Sequence, residues 1–163
     1  VRIPMIIHPP GGLGTPHRCA QVVSLIDLVP TIVRFCGGDP ASVLQGVDFG
    51  DLLRGADHAM NDGVAAEFHS VNWTDPLHPL RMWVGERWKY VESQDGSDEL
   101  YDLHDDPLEM INLIGSPAHA LALEQARRGL GSWITTTGDT WPSVVQPPPR
   151  PTTLTSPTRV NTP

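Results

Sequence analysis

The chain has 163 residues, of which 39% are apolar and 18% charged, enough for one domain of ordinary size to bury a core. Its 11 Lys and Arg face 19 Asp and Glu, a formal net charge of −8, so it lacks the basic footprint that a nucleic acid backbone requires. It contains no run of about eighteen apolar residues, the minimum for a membrane-spanning helix.

The first element expected is a strand over residues 2–8. Ile3, Met5, Ile6 and Ile7 form a nearly continuous apolar run, as strands covered on both faces do. Such a strand needs neighbours. The chain opens directly in it, without an initiator Met, which predicts a piece of a larger protein. A loop rich in Pro and Gly, HPPGGLGTPHR, follows, and then the longest apolar segment, QVVSLIDLVPTIVRFCGG. With Asp27 as N-cap, Pro30 falls at the third helical position, where its missing N–H costs nothing, and Gly37 and Gly38 stop the helix near Cys36. Cys19 and Cys36 have neither CxxC spacing nor neighbouring His; buried free thiols are expected, and a disulfide between them stays open.

A short connection, GVDFGDLLRG (46–55), leads to four strand-like runs, GVAAEFHSV, PLRMWVG, RWKYVES and ELYDL, which read as an antiparallel meander. Trp83, Trp88, Tyr90 and Tyr101 are expected to pack between this sheet and a helix over residues 117–134. Its apolar residues Leu121, Leu123, Ala126, Leu130, Trp133 and Ile134 have roughly helical spacing, and Gly129 and Gly131 weaken it. Residues 142–163 hold seven prolines, five threonines and no acid, which predicts a disordered tail. Without Arg150 and Arg159 the body keeps 9 basic against 19 acidic residues, a balance of −10.

The segment DELYDLHDDPLEMINL (98–113) concentrates six carboxylates. Asp106, Pro107 and Glu109 match a capping box with proline at its first position, so a short helix is expected there. The spacing does not match a calcium loop, which needs alternating oxygens with glycine sixth and glutamate twelfth.

The same residues resemble the C-terminal signature of sulfatases, in which a short strand "ELYDL", an acidic turn, "DP" with a nearby glutamate and "NL" lead into the last helix. RIPMIIHPPG, SLIDLVPTIVRFCGG, GVDFGDLLRG and RMWVGERWKYVE are similar to further family segments in the same order, covering residues 1 to about 135. The resemblance implies an α/β fold of the alkaline-phosphatase-like type. Residues 1–55 would end the catalytic domain, and residues 62–136 would form a C-terminal subdomain with a four-stranded antiparallel sheet packed on a helix.

The resemblance further implies sulfate ester hydrolysis by a formylglycine and a divalent cation, usually calcium. The formylglycine arises from a "C/S-x-P/A-x-R" motif, which neither Cys19, followed by AQVV, nor Cys36, followed by GGDP, matches. The expected catalytic and metal residues of this chain are therefore none, and its expected partners are an N-terminal catalytic part of the same protein and a small sulfate ester. A substrate contact is expected at His69, at the end of its strand, ahead of Trp73 and His78 in the following loop. Arg81 and Lys89 are read as pairing with acids rather than with sulfate. Asn72, Trp73 and Thr74 form a glycosylation sequon that carries no weight alone. Two other readings stand beside the sulfatase: a phosphate or phosphonate ester hydrolase of the same superfamily, and a non-catalytic module binding a partner through the extended PPPRP stretch.

Overall fold

The computed structural model describes residues 3–8, 11–12, 16–56, 60–68 and 79–141. His69, Trp73, His78, the sequon and the tail from residue 142 lie outside the described residues.

Residues 3–8 form no strand, contrary to expectation, and Ile6 is 97% exposed. A strand exists only through its ladder, and the described sheet offers these residues no place. The first regular element is a single 3-10 turn, Leu25–Asp27, which runs into α1 (Leu28–Phe35). Pro30 is the third residue of α1, as its missing donor requires. Gly37, at φ 77°, closes the helix: Gly38 donates to the Val33 carbonyl and Gly37 to that of Arg34, a Schellman end. The short connection over residues 46–55 holds a one-turn helix, α2 (Gly50–Leu53), with Phe49 and Leu52 buried. Both cysteines are free and exposed, which corrects the expected burial; Cys36 sits at the exposed end of α1.

The meander forms as the alternation predicts. Strands β1 (Val64–Phe68), β2 (Leu80–Val84), β3 (Trp88–Ser93) and β4 (Glu99–Asp102) pair antiparallel in sequence order. After a 3-10 turn at Pro117–His119, α3 (Ala120–Thr137) crosses one face of the sheet and ends at Gly138 in the left-handed conformation. Register puts Ala65, Trp83, Tyr90 and Leu100 in one row across the four strands. These meet Ala126, Leu130, Trp133 and Ile134 of α3 to make the core. Tyr101 is one residue from Leu100, so the pleat turns it to the opposite face, beside Lys89 at 5.8 Å, and not toward the helix. Gly129 is where α3 comes closest: a Cβ there would lie under 3.0 Å from the Trp83 indole, and Gly63 bounds the same ring from β1's side with 2.7 Å.

The acidic segment after β4 makes no helix. Asp106 N–H donates to the Asp102 carbonyl, Glu109 N–H to the Asp106 carbonyl, and Ile111 N–H to Asp106 Oδ2 at 2.8 Å. Glu109, placed at the third helical position by the capping-box reading, instead adopts φ 57° and turns its carboxylate to Lys89. Asn112 Oδ1 accepts from Leu100 and Ile114 N–H, drawing the chain along the β4 edge. Long-range partners thus outweigh the local cap. Asp102, nearly buried, takes a bidentate bond from Arg87 (3.0 and 2.6 Å) and accepts His104 and Asp105 N–H. The Arg87 bond, supported by the two backbone donors, holds the Asp102 carboxyl below the ordinary value of 3.8, against the opposing effect of burial.

Two predictions follow from these contacts. Gly129→Ala gains about 1 kcal/mol of helix propensity but forces the Trp83 ring aside, a cost of about 1–3 kcal/mol, so denaturant melts should show net destabilisation. Gly131→Ala meets nothing within 4 Å and should stabilise by about 0.5–1 kcal/mol; equal effects at both sites would refute the close approach. Because folding lowers the Asp102 value, its contribution is full above pH 3.8 and is lost as pH falls through the folded value. Asp102→Asn should cost about 1–3 kcal/mol at neutral pH, toward the lower end because Arg87 is half exposed, and should flatten the acid limb of the stability profile.

Candidate functional site

The N-terminal unit is built around one buried carboxylate. Asp27, 3% exposed, does not cap α1 as expected, since its own backbone is already helical. Its Oδ2 accepts Ser24 N–H at 2.7 Å and its Oδ1 accepts Val47 N–H at 2.8 Å, twenty residues on. Thr31, one turn later, donates to the Asp27 carbonyl (2.6 Å) and accepts Phe49 N–H (3.0 Å). Two side chains of the DLVPT string thus pin the 47–49 segment to α1. Between them, Pro30 offers no N–H to the Ile26 carbonyl, and the Gly46 backbone comes up to that oxygen so closely that no Cβ would fit. Thr31 was not singled out by sequence reasoning, although a hydroxyl following Pro30 and one turn beyond a buried acid is the available signal.

Arg81 is the most buried cation among the described residues, its side chain 5% exposed. Its Nε lies 2.5 Å from Asp139 Oδ2, its Nη1 lies 3.6 Å from Glu92 Oε2, and its guanidinium stacks 3.9 Å over the Trp141 ring. The pairing with acids expected for Arg81 is present, and so is that of Lys89 with Glu109. Asp139 and Trp141 were missed because they stand far along the chain, with no local pattern linking them to Arg81. Together they lock the exit of α3 to β2.

The carboxylates of the acidic turn are engaged in the same manner. Asp98 accepts from Tyr90 Oη (2.7 Å), Ser93 N–H (3.1 Å) and Arg127 Nη2 (3.2 Å). Burial first, and the Asp98 bond second, push the Tyr90 phenol up to about 12. Among the described residues no group of three or more His, Cys, Asp or Glu side chains is placed to share a cation. The donors present do not fit the calcium that the resemblance implies, and with neither cysteine in a modification motif they do not fit formylglycine either.

A groove of about 1160 Å³ opens between the N-terminal unit and the sheet-helix layer. Ile26, Val43 and Val47 line one wall, and Trp83, Trp88 and Trp133 the other. No described helix is long and apolar enough to cross a membrane. His69, outside the described residues, takes no part in this geometry.

Known proteins agree with this architecture. The family model "N-sulphoglucosamine sulphohydrolase, C-terminal" matches residues 1–133. An ulvan-active sulfatase of Formosa agariphila is 23% identical over 171 residues, covering 85% of this chain and 34% of that protein. Among solved structures, a 2-O GAG sulfatase matches with a TM-score of 0.63 at 31% identity, over 69% of this chain and 25% of its own. The phosphonate monoester hydrolase of Agrobacterium radiobacter matches with a TM-score of 0.55 at 24% identity, over 68% of this chain and 24% of its own, a likeness of fold alone. This chain spans between 22% and 34% of the curated relatives it matches. Matched along residues 1–133 and sharing its sheet and helix with solved sulfatases, the chain belongs to the sulfatase family of alkaline-phosphatase-like fold and corresponds to the C-terminal portion of its members.

Proposed function

We propose that the chain is the C-terminal scaffold of an enzyme that hydrolyses sulfate esters, with the nucleophile and metal ligands carried by upstream polypeptide. In this reading residues 1–55 complete the catalytic α/β domain, residues 62–136 are the smaller subdomain, and residues 142–163 are a tail. The observation that carries it is the bare face of α1 and its preceding turn. Leu25, Val29 and Ile32 recur at helical spacing and each is at least half exposed, although the opposite side of the helix is pinned by Asp27 and Thr31. A stripe of this kind is the face by which a helix packs on another element. The chain matches 34% of one relative and 22% of another, and the remainder of such proteins has the polypeptide to cover it. The chain alone should not turn over substrate, because neither cysteine stands in the modification motif and no three of its described acids, histidines or cysteines are placed to share a cation.

A phosphonate or phosphate ester is the second reading, favoured by the fold shared with the Agrobacterium enzyme. His69 is the residue of this chain proposed to touch substrate, since it directly follows β1.

The test is to express the longer polypeptide and assay aryl sulfate and aryl phosphonate side by side. Turnover of sulfate is expected, together with an upstream "C/S-x-P/A-x-R" motif, and His69→Ala is expected to raise KM with a smaller effect on kcat. Failure to find the motif and two acidic metal turns upstream would remove the sulfatase reading, and preference for phosphonate would replace it with the second.

A further inference from the structure

The turn after β4 is built rigidly and yet presents apolar side chains to solvent. Leu108 and Met110 are 78% exposed and Ile111 62%. Glu109, between them, is the one non-glycine among the described residues at positive φ, 57°, a conformation that persists only where surroundings impose it. The surroundings do impose it. Lys89 holds the Glu109 carboxylate, Asp106 binds Ile111 N–H, and Asn112 ties the far end to Leu100 and Ile114. A loop free to relax would fold Leu108, Met110 and Ile111 onto the nearby core, as Leu113 and Ile114 do. Here the backbone is fixed so that they point away.

We infer that this tip is a preformed docking knob for the upstream catalytic polypeptide, seated in an apolar pocket. This rests on the reading that the chain is the C-terminal part of a longer sulfatase. Three observations select that occupant. The tip lies within the residues the family model matches, so its counterpart belongs with what family members carry in common. Two curated relatives are matched over 34% and 22% of their length, so most of each lies outside the span matched here. The chain carries a net charge of −8, which opposes a second copy of itself as the occupant.

The experiment combines Leu108→Ser, Met110→Ser and Ile111→Ser, made both in residues 1–163 and in the longer polypeptide, and follows thermal unfolding. In the 163-residue chain the midpoint should stay within about 1 °C, because these side chains are already exposed there. In the longer polypeptide it should fall by about 2 °C or more, because the same side chains are then buried. An unchanged midpoint in a longer polypeptide that still hydrolyses sulfate esters overturns the knob and leaves the proposed function standing. Absence of any upstream catalytic polypeptide overturns both. A wild-type 163-residue chain that elutes as a dimer, and as a monomer once substituted, would assign the tip to a second copy and overturn the inference.

Discussion

The layer formed by the sheet and α3 depends on how closely that helix can approach Trp83. The indole fills the space between Gly63 and Gly129, and the helix axis is set by the absence of a side chain at both places. With that distance fixed, Leu130 and Ala126 fall onto Tyr90 and Leu100, which are buried to within a few per cent. Gly129 is unfavourable to an isolated helix by about 1 kcal/mol, so the sequence gives up local stability for a tertiary contact. Arg81 completes the arrangement at the other end. Its pairing with Asp139, just past the helix, and its stacking on Trp141 fix the direction of α3 relative to β2. One buried cation placed between two carboxylates leaves excess negative charge, which makes a third anion at this point unfavourable.

The N-terminal unit solves a different problem with hydrogen bonds. A segment between two helices, residues 46–49, has backbone N–H groups that no strand partner satisfies. Asp27 and Thr31 supply the acceptors to Val47 and Phe49. The proline between them is part of the same solution. Removing its donor from the helix frees the Ile26 carbonyl, and the glycine at position 46 lets the backbone close against it. Asp, Pro, Thr and the later Gly therefore act as one clasp whose pieces lie twenty residues apart.

Much of this was legible in the sequence because it depends on alternation and on breakers. The four strands, the helix around Pro30 and the final helix emerge where period and punctuation place them. What was not legible turns on partners distant in the chain. The string Asp106, Pro107, Leu108, Glu109 satisfies every local condition for a helix start, yet Lys89, twenty residues earlier, takes the glutamate, and Asn112 takes the β4 edge. Asp27 was recognised as structural, but its reach to Val47 depends on a turn that no local pattern encodes. Tyr101 was put on the wrong face because aromatic character was weighed above its position next to Leu100 in the strand. The opening segment was read as a strand from its nearly continuous apolar run, and such a run does not by itself supply a ladder.

The pairing of Arg81 and Lys89 with acids was legible from the surplus of carboxylates, whereas Asp139 and Trp141 stand too far along the chain for a local pattern to link them to Arg81. Arg81, Arg87, Lys89 and Arg127 each face a carboxylate of this same chain, and Asp98 and Asp102 each satisfy two or more donors. A catalytic centre needs charged groups whose partners arrive with the substrate or metal, whereas these cations and acids already face one another. The unspent capacity of these residues is apolar instead: the Leu25, Val29 and Ile32 stripe, the tryptophan-lined groove and the Leu108 tip. Surface of that kind binds polypeptide more readily than a sulfate group, whose oxygens require donors. The described charges are thus used to hold the sheet, α3 and the acidic turn to one another, and what is left to meet other polypeptide is apolar surface.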